Sequence, residues 1–200
     1  GLSSTTGQSV MASPPVTTDY TITVVDVGGN QFDTIVTVTV ATPPTPFAGV
    51  DDFSCDLNYN LSGVQSDTFG VQWSFVGPGN ATFTDATAEN TTVTVTTTGL
   101  YGFIFGEDNG VCPLVEDTVW IDFMDVPHVN TWVDPSCGGY CDGEIHVDAP
   151  TGVLYSMDNG LTFQADSFFM GVCSNTYDIV VENAQGCQKA STVTLTDPVP

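Results

Sequence analysis

The residues able to do chemistry are few and lopsided. The chain holds six cysteines (Cys55, Cys112, Cys137, Cys141, Cys173 and Cys187), two histidines (His128 and His146), and 24 acidic side chains against a single Lys or Arg, Lys189. Serine or cysteine hydrolase chemistry needs a base beside the nucleophile, and neither histidine sits in a motif that supplies one. Glu144, His146 and Asp148 share one strand face by the period of two. Inward alternation of Ile145 and Val147 accounts for that spacing without a metal. Paired carboxylates could cleave glycosides, yet nothing holds a pair in a cleft. No C-x-x-C pair exists, the nearest approach being Cys137-x-x-x-Cys141, so the cysteines read as disulfides of an oxidising compartment rather than a zinc site. The chain is expected not to be an enzyme and to be extracellular.

Among ions, calcium suits the remaining oxygens, since hard cations take several carboxylates and carbonyls. The candidates are Asp51 and Asp52 with Asp56, or Glu107 and Asp108 with Asn109. The turn chemistry of Asp, Asn and Gly explains the second set equally well. No other cofactor is implied. Asn60-Leu-Ser, Asn80-Ala-Thr and Asn90-Thr-Thr read as N-glycosylation sequons.

The formal net charge of −23 excludes nucleic acid binding by phosphate neutralisation, which needs clustered Lys and Arg, and opposes an anionic membrane. The acids are spread along the chain, as on solvated faces of folded domains. A hydrophobic fraction of 41% supports a core. Its Val, Phe, Ile and Tyr, interleaved with Thr, suit half-buried strands. Nothing sustains a helical period and no membrane-spanning run occurs. The absence of a signal peptide at Gly1 is expected of a mature protein or a piece of a longer one.

An internal repeat positions these residues. Tyr20 leads YTITVVDVGGN and then DTIVTVTV. Tyr101 leads YGFIFGEDNGVC and then EDTVWIDF. Tyr177 leads YDIVVENAQGC and then ASTVTLTD. Each reads as a β-hairpin by alternation and turn residues. The tyrosines are 81 and 76 residues apart, a domain-sized period that suits small sandwiches in series. Pro-bearing junctions at 41–46, 124–127 and 197–200 divide the chain into 1–41, 42–125 and 126–200, and stiffen it. The expected fold is all-β, tandem Ig-like sandwiches with the first incomplete. Residues 1–41 offer strands near Ser9–Ala12, Tyr20–Val25 and Phe32–Val40 that need a facing sheet from preceding residues or a neighbouring chain. Cys112 and Cys187 occupy equivalent places after the hairpin turn. If the strands from Leu57 and Tyr101 run antiparallel, Cys55 and Cys112 lie at one end of the sandwich and pair.

Residues 137–198 carry a family likeness. CGGYCDGEIHVDAP, YSMDNGLTFQ, GVCSNTYDIVVENAQGC and STVTLTDP resemble, in order, the SprB-type repeat of gliding-motility adhesins of the Bacteroidota, departing from it at Ala149–Thr151. WSFVGPGNATFTDATAENTTVTVTTTGLYGFIFGEDNGVC resembles the PKD/Ig-like modules that accompany such repeats. The resemblance implies type IX secretion, a long multidomain surface protein, and adhesive or scaffolding use. It favours Cys137–Cys187 and Cys141–Cys173 among the three connectivities that four cysteines allow. Asp33-Thr34-Ile35, Asp67-Thr68-Phe69 and Asp117-Thr118-Val119 resemble the O-glycosylation pattern of the same bacterial group.

Three functions compete. The leading one is a non-catalytic structural and adhesive module of a cell-surface stalk or fibre, whose partners are other domains of the same chain. The next is a filament subunit completed by strands of identical chains. The last is a carbohydrate- or protein-binding accessory module of a secreted enzyme, with Trp132 and Tyr140 as candidates for stacking on surface glycans.

Overall fold

The computed structural model describes residues 1–66 and 68–198, and every regular element among them is a β-strand. Asp67 of the second Asp-Thr triplet, Val199 and Pro200 lie outside the described residues. The first pair, β1 (Thr18–Val25) and β2 (Gln31–Val38), forms an isolated antiparallel hairpin in register from Thr18↔Val38 to Val25↔Gln31. Asp26 shapes its turn: the carboxylate accepts the N–H groups of Gly28 and Asn30 and the Asn30 amide, and Gly29 takes φ 84°. Ile22, Val24, Phe32, Ile35 and Val36 stay exposed because no second sheet covers them. The Ser9–Ala12 strand expected from the sequence is reduced to one bridge, Leu2↔Ala12.

The next seven strands make a sandwich. They are β3 (Asp52–Ser54), β4 (Asn58–Ser62), β5 (Gly70–Val76), β6 (Ala81–Phe83), β7 (Asn90–Val95), β8 (Gly99–Asp108) and β9 (Val115–Phe123). One sheet runs β3-β9-β8-β5 and the other β4-β7-β6. Alternation places Val71 and Trp73, then Val93 and Val95, then Tyr101, Phe103 and Phe105, between them. Trp73 packs on Phe105 at 4.6 Å between ring centroids and donates Nε1–H to the Ala88 carbonyl at 3.0 Å, which satisfies the buried indole. Tyr101 forms a tyrosine corner, its hydroxyl 3.1 Å from the Thr97 carbonyl. The ring lies so close to Gly77 that a Cβ there would sit 2.2 Å from it, so only glycine fits.

Six strands follow: β10 (Val129–Val133), β11 (Gly143–Asp148), β12 (Leu154–Ser156), β13 (Phe168–Val172), β14 (Asn175–Glu182) and β15 (Gln188–Leu195). They form sheets β10-β11-β13 and β12-β14-β15 around Ile145, Val147, Phe169, Ile179, Val181, Val193 and Leu195. Tyr177 repeats the corner, donating to the Cys173 carbonyl at 3.0 Å. The chain is thus a series of Ig-like sandwiches with an incomplete first member.

Disulfide connectivity departs from the sequence expectation. Cys55 bonds Cys187, not Cys112, and Cys137 bonds nothing, so the expected Cys55–Cys112 and Cys137–Cys187 pairs are corrected. The structure joins Cys141 to Cys173. For the Cys55–Cys112 pair, strand direction is the cause. β3 lies parallel to β9, with Ser54 opposite Phe123, and β9 is antiparallel to β8, with Phe123 opposite Gly99. The chain reverses after Cys55, so β4 runs along β8 rather than against it. Cys55 therefore lies beside the Gly99 end of the sheet and Cys112 beyond the Glu107 end, about 27 Å away at ~3.4 Å per residue.

Candidate functional site

The distinctive chemistry lies where one sandwich hands over to the next. β9 ends at Phe123, and Met124 donates its N–H to the Ser54 carbonyl, which holds Cys55 beside the chain's exit from that sandwich. Across the joint, the β14–β15 turn is built on Asn183, whose Oδ1 accepts the Cys187 N–H at 2.9 Å while its Nδ2 lies 3.7 Å from Met124 Sδ. This presents a buried Cys187 sulfur to Cys55. The chain's one cationic side chain is also here, Lys189 Nζ standing 3.3 Å from Asp125 Oδ1. That exposed pair adds little stability by itself. A cleft of about 310 Å³ lies alongside, lined among others by Cys55, Leu57, Thr96, Met124, Asp125 and Lys189. The joint is a covalent bond with one weak ion pair beside it, an arrangement suited to holding two bodies in place.

The calcium candidates are dispersed. Asp51 accepts the Trp120 N–H, Asp52 accepts the Tyr59 hydroxyl, and Glu107 is fully buried, taking the Ser66 N–H and hydroxyl at 3.0 Å. Asp108 caps the turn through the Gly110 N–H, and Asp56 lines the junction cleft. No cluster of acids, cysteines or histidines among the described residues is spaced to hold a metal ion. Burial and the Asp52 carboxylate beside it push the Tyr59 hydroxyl up to about 12.

The glycosylation candidates divide by setting. Asn60 and Asn90 lie on the outer face of β4-β7-β6 in a ladder of hydroxyl–amide bonds: Thr92 donates to Asn60 Oδ1 at 2.7 Å, Ser62 to Asn90 Oδ1 at 2.8 Å, and Thr94 to Asn58 Oδ1 at 2.6 Å. Asn80 is exposed ahead of β6, Thr34 and Thr68 are exposed, and Thr118 is half-buried within β9.

Trp132 and Tyr140 are both exposed. Trp132 borders a shallow recess on the β10-β11-β13 sheet, with Glu144, His146 and Phe168. There His146 stacks on Phe168 at 4.1 Å between centroids, an aromatic platform that the sequence did not reveal because Phe168 lies in an unalternating run.

His128 has a role that its linker position concealed. Its Nε2 lies 2.6 Å from Ser191 Oγ, which also accepts Asn130 Nδ2 at 2.7 Å. Ser191 is on β15 and Asn130 on β10, so the trio clips these two strands together. The sequence separation of 63 between His128 and Ser191 left no motif to read.

No family model matches the chain, and no curated protein matches it. Solved structures that resemble it include the insect immune protein hemolin (14% identity, 89% of this chain and 55% of that one, TM-score 0.40). Titin domains give 12% identity over 89% of this chain and 74% of that one, TM-score 0.36. The fibronectin(III)-like modules of Clostridium thermocellum CbhA give 11% identity over 78% and 94%, TM-score 0.34. At these scores the similarities carry no functional argument, and the functional reading rests on the chain's own geometry.

Proposed function

We propose that this chain is a non-catalytic, extracellular structural and adhesive segment of a long surface protein, in which sandwiches spanning 42–125 and 126–200, preceded by the partial unit 1–41, act as a stiff spacer. The observation that carries this reading is the Cys55–Cys187 bond across the joint. It ties the exit of one sandwich to the entry turn of the next, so the bodies cannot swing apart. The resemblance of residues 137–198 to the SprB-type repeat, with its implication of type IX secretion and gliding-motility adhesins, supports the same use. The Ser191–His128 contact does not oppose it: the Ser191 hydroxyl oxygen already accepts Asn130, and the trio serves as a strand clip.

Small-angle scattering tests the spacer. The oxidised chain should adopt one elongated arrangement, and Cys55→Ser with Cys187→Ser together should broaden the distance distribution while both sandwiches stay folded. Identical profiles for the two proteins would overturn it. A second reading, glycan contact, is favoured by the His146–Phe168 platform beside Trp132. Glycan-array binding lost in Phe168→Ala would support that reading, and an unchanged or absent signal would remove it.

A further inference from the structure

Two observations at the front of the molecule point to one missing partner. The first is the β1–β2 hairpin. Thr18, Tyr20, Ile22 and Val24 share one face with Val38, Val36, Thr34 and Phe32 across the ladder. The equivalent faces of β8–β9 and β14–β15, led by Tyr101 and Tyr177, pack into the two cores. Here Ile22, Val24, Phe32 and Val36 stay exposed. The opposite face is already satisfied as a solvent face: Thr23 donates to Asp33 and Thr37 to Asp19, both at 2.6 Å. The absent sheet therefore belongs on the Tyr20 side. The second observation is the Cys112 turn. Its N–H donates to Asn109 Oδ1 at 2.9 Å, as that of Cys187 does to Asn183 Oδ1 at 2.9 Å. Asn109 also reaches back to the incoming linker, donating Nδ2 to the Thr42 carbonyl at 2.8 Å, as Asn183 reaches back to Met124. In that setting Cys187 bonds Cys55, which stands at the exit of the preceding sandwich, beside Met124. Cys112 has the same turn, directed at the linker from unit 1–41, and bonds no cysteine among the described residues.

Both complete sandwiches carry a cysteine at the exit. Cys55 lies 46 residues ahead of Tyr101, and Cys137 lies 40 ahead of Tyr177. Cys137 is near the end of β15, where Asp134 accepts the Thr196 N–H at 2.8 Å. No cysteine precedes Cys55 in residues 1–54, so the cysteine equivalent to Cys55 for the first sandwich belongs to the same absent part as its second sheet. We propose that residues ahead of Gly1 complete the first sandwich by covering the Tyr20 face of β1–β2, and that a cysteine at the exit of that sandwich forms a disulfide with Cys112. The joint repeats Cys55–Cys187 one unit earlier. By the spacing of the two complete sandwiches, the partner cysteine falls about 40–46 residues ahead of Tyr20. The bond forms by thiol–disulfide exchange: the two thiols lose two protons and two electrons to a small disulfide oxidant, which leaves as two thiols, and one S–S bond forms. The inference rests on the spacer reading above and names what holds this segment to the unit before it.

The test is a non-reducing peptide map of the native protein with the residues ahead of Gly1 in place, its thiols alkylated first. The Cys112 peptide should emerge joined to one whose cysteine lies about 40–46 residues ahead of Tyr20. An alkylated Cys112, a Cys112 bonded to Cys137 or to a second copy, or a preceding sequence with no cysteine in that window would overturn the proposal. The covered face has its own readout. Amide hydrogen exchange in β1–β2 should be slower in that protein than in residues 1–200 alone, by about tenfold or more, and equal rates would overturn the completed sandwich. The same map reports the later joint. A map with Cys55–Cys187 but a free Cys112 ends this inference alone, and a map without Cys55–Cys187 ends the spacer reading.

Discussion

Pulling the chain by its two ends should reveal a protected stretch whose length follows from the disulfide. The Cys55–Cys187 bond spans a sequence separation of 132 residues. Force applied at the termini passes from Cys55 directly to Cys187 and bypasses everything between them. Both cores lie largely inside that loop, including Trp73, Tyr101, Phe123, Ile145 and Ile179. Only segments outside it, such as β1, β2, β3 and β15, can extend while the bond is intact. Reduction should release about 45 nm of contour at ~3.4 Å per residue. Without the bond, the sandwich from β3 to β9 would contribute about 24 nm and that from β10 to β15 about 22 nm on the same scale. Single-molecule force spectroscopy in oxidising buffer should show neither sandwich step, and both should appear after a thiol reductant is added. Steps of about 24 nm and about 12 nm in oxidising buffer, the second shortened by the separation of 32 residues that the Cys141–Cys173 bond locks, would refute the reasoning, because they would mean that force travels through the cores.

Two further outcomes follow from local chemistry. Tyr101→Phe removes a fully buried hydroxyl that bonds the Thr97 carbonyl. It should cost about 1–2 kcal/mol and lower that sandwich's melting temperature by roughly 4–8 °C per kcal/mol. Tyr177→Phe, at the half-buried equivalent corner, should cost less, and calorimetry showing the reverse order would contradict the burial argument. Asp158 accepts the Ser156 hydroxyl and the side chain and N–H of Thr162, which together hold its carboxyl down to about 2. Because the folded value lies below the unfolded one, its stabilisation is present above about pH 4 and is lost as pH falls through about 2. Carboxyl NMR should find that low midpoint, and an ordinary Asp value would contradict the turn geometry.

Hairpins were the legible part of this fold. The alternation after Tyr20, Tyr101 and Tyr177 placed β1–β2, β8–β9 and β14–β15, because residues two apart on a half-buried strand report their own burial. Trp73 in the core was legible for the same reason. β10 and β13 were not: VNTWV directly follows the linker that ends at Pro127, and FFMGV lacks alternation, so neither carries a period. The wrong Cys55–Cys112 pair came from strand direction, which periodicity does not encode, and the wrong Cys137–Cys187 pair from the family resemblance. β3 pairs with β9 in parallel, and that one pairing sends Cys55 to the far end from Cys112. The equivalence of Cys112 and Cys187 was visible in the repeat. Its meaning, an entry position at a joint, required seeing Asn109 and Asn183 reach toward the incoming linkers.

The central claim is the covalent joint, and a non-reducing peptide map of the intact chain tests it most directly. Thiols are alkylated first, the protein is cleaved at its aspartates, and the linked peptides are sequenced by mass spectrometry. The account predicts one species joining the Cys55 peptide to the Cys187 peptide, separate from the Cys141–Cys173 link, with alkylated Cys112 and Cys137 in a chain of residues 1–200. A species joining Cys55 to Cys112 would contradict it, since each sandwich would then be closed on itself and nothing covalent would hold the joint.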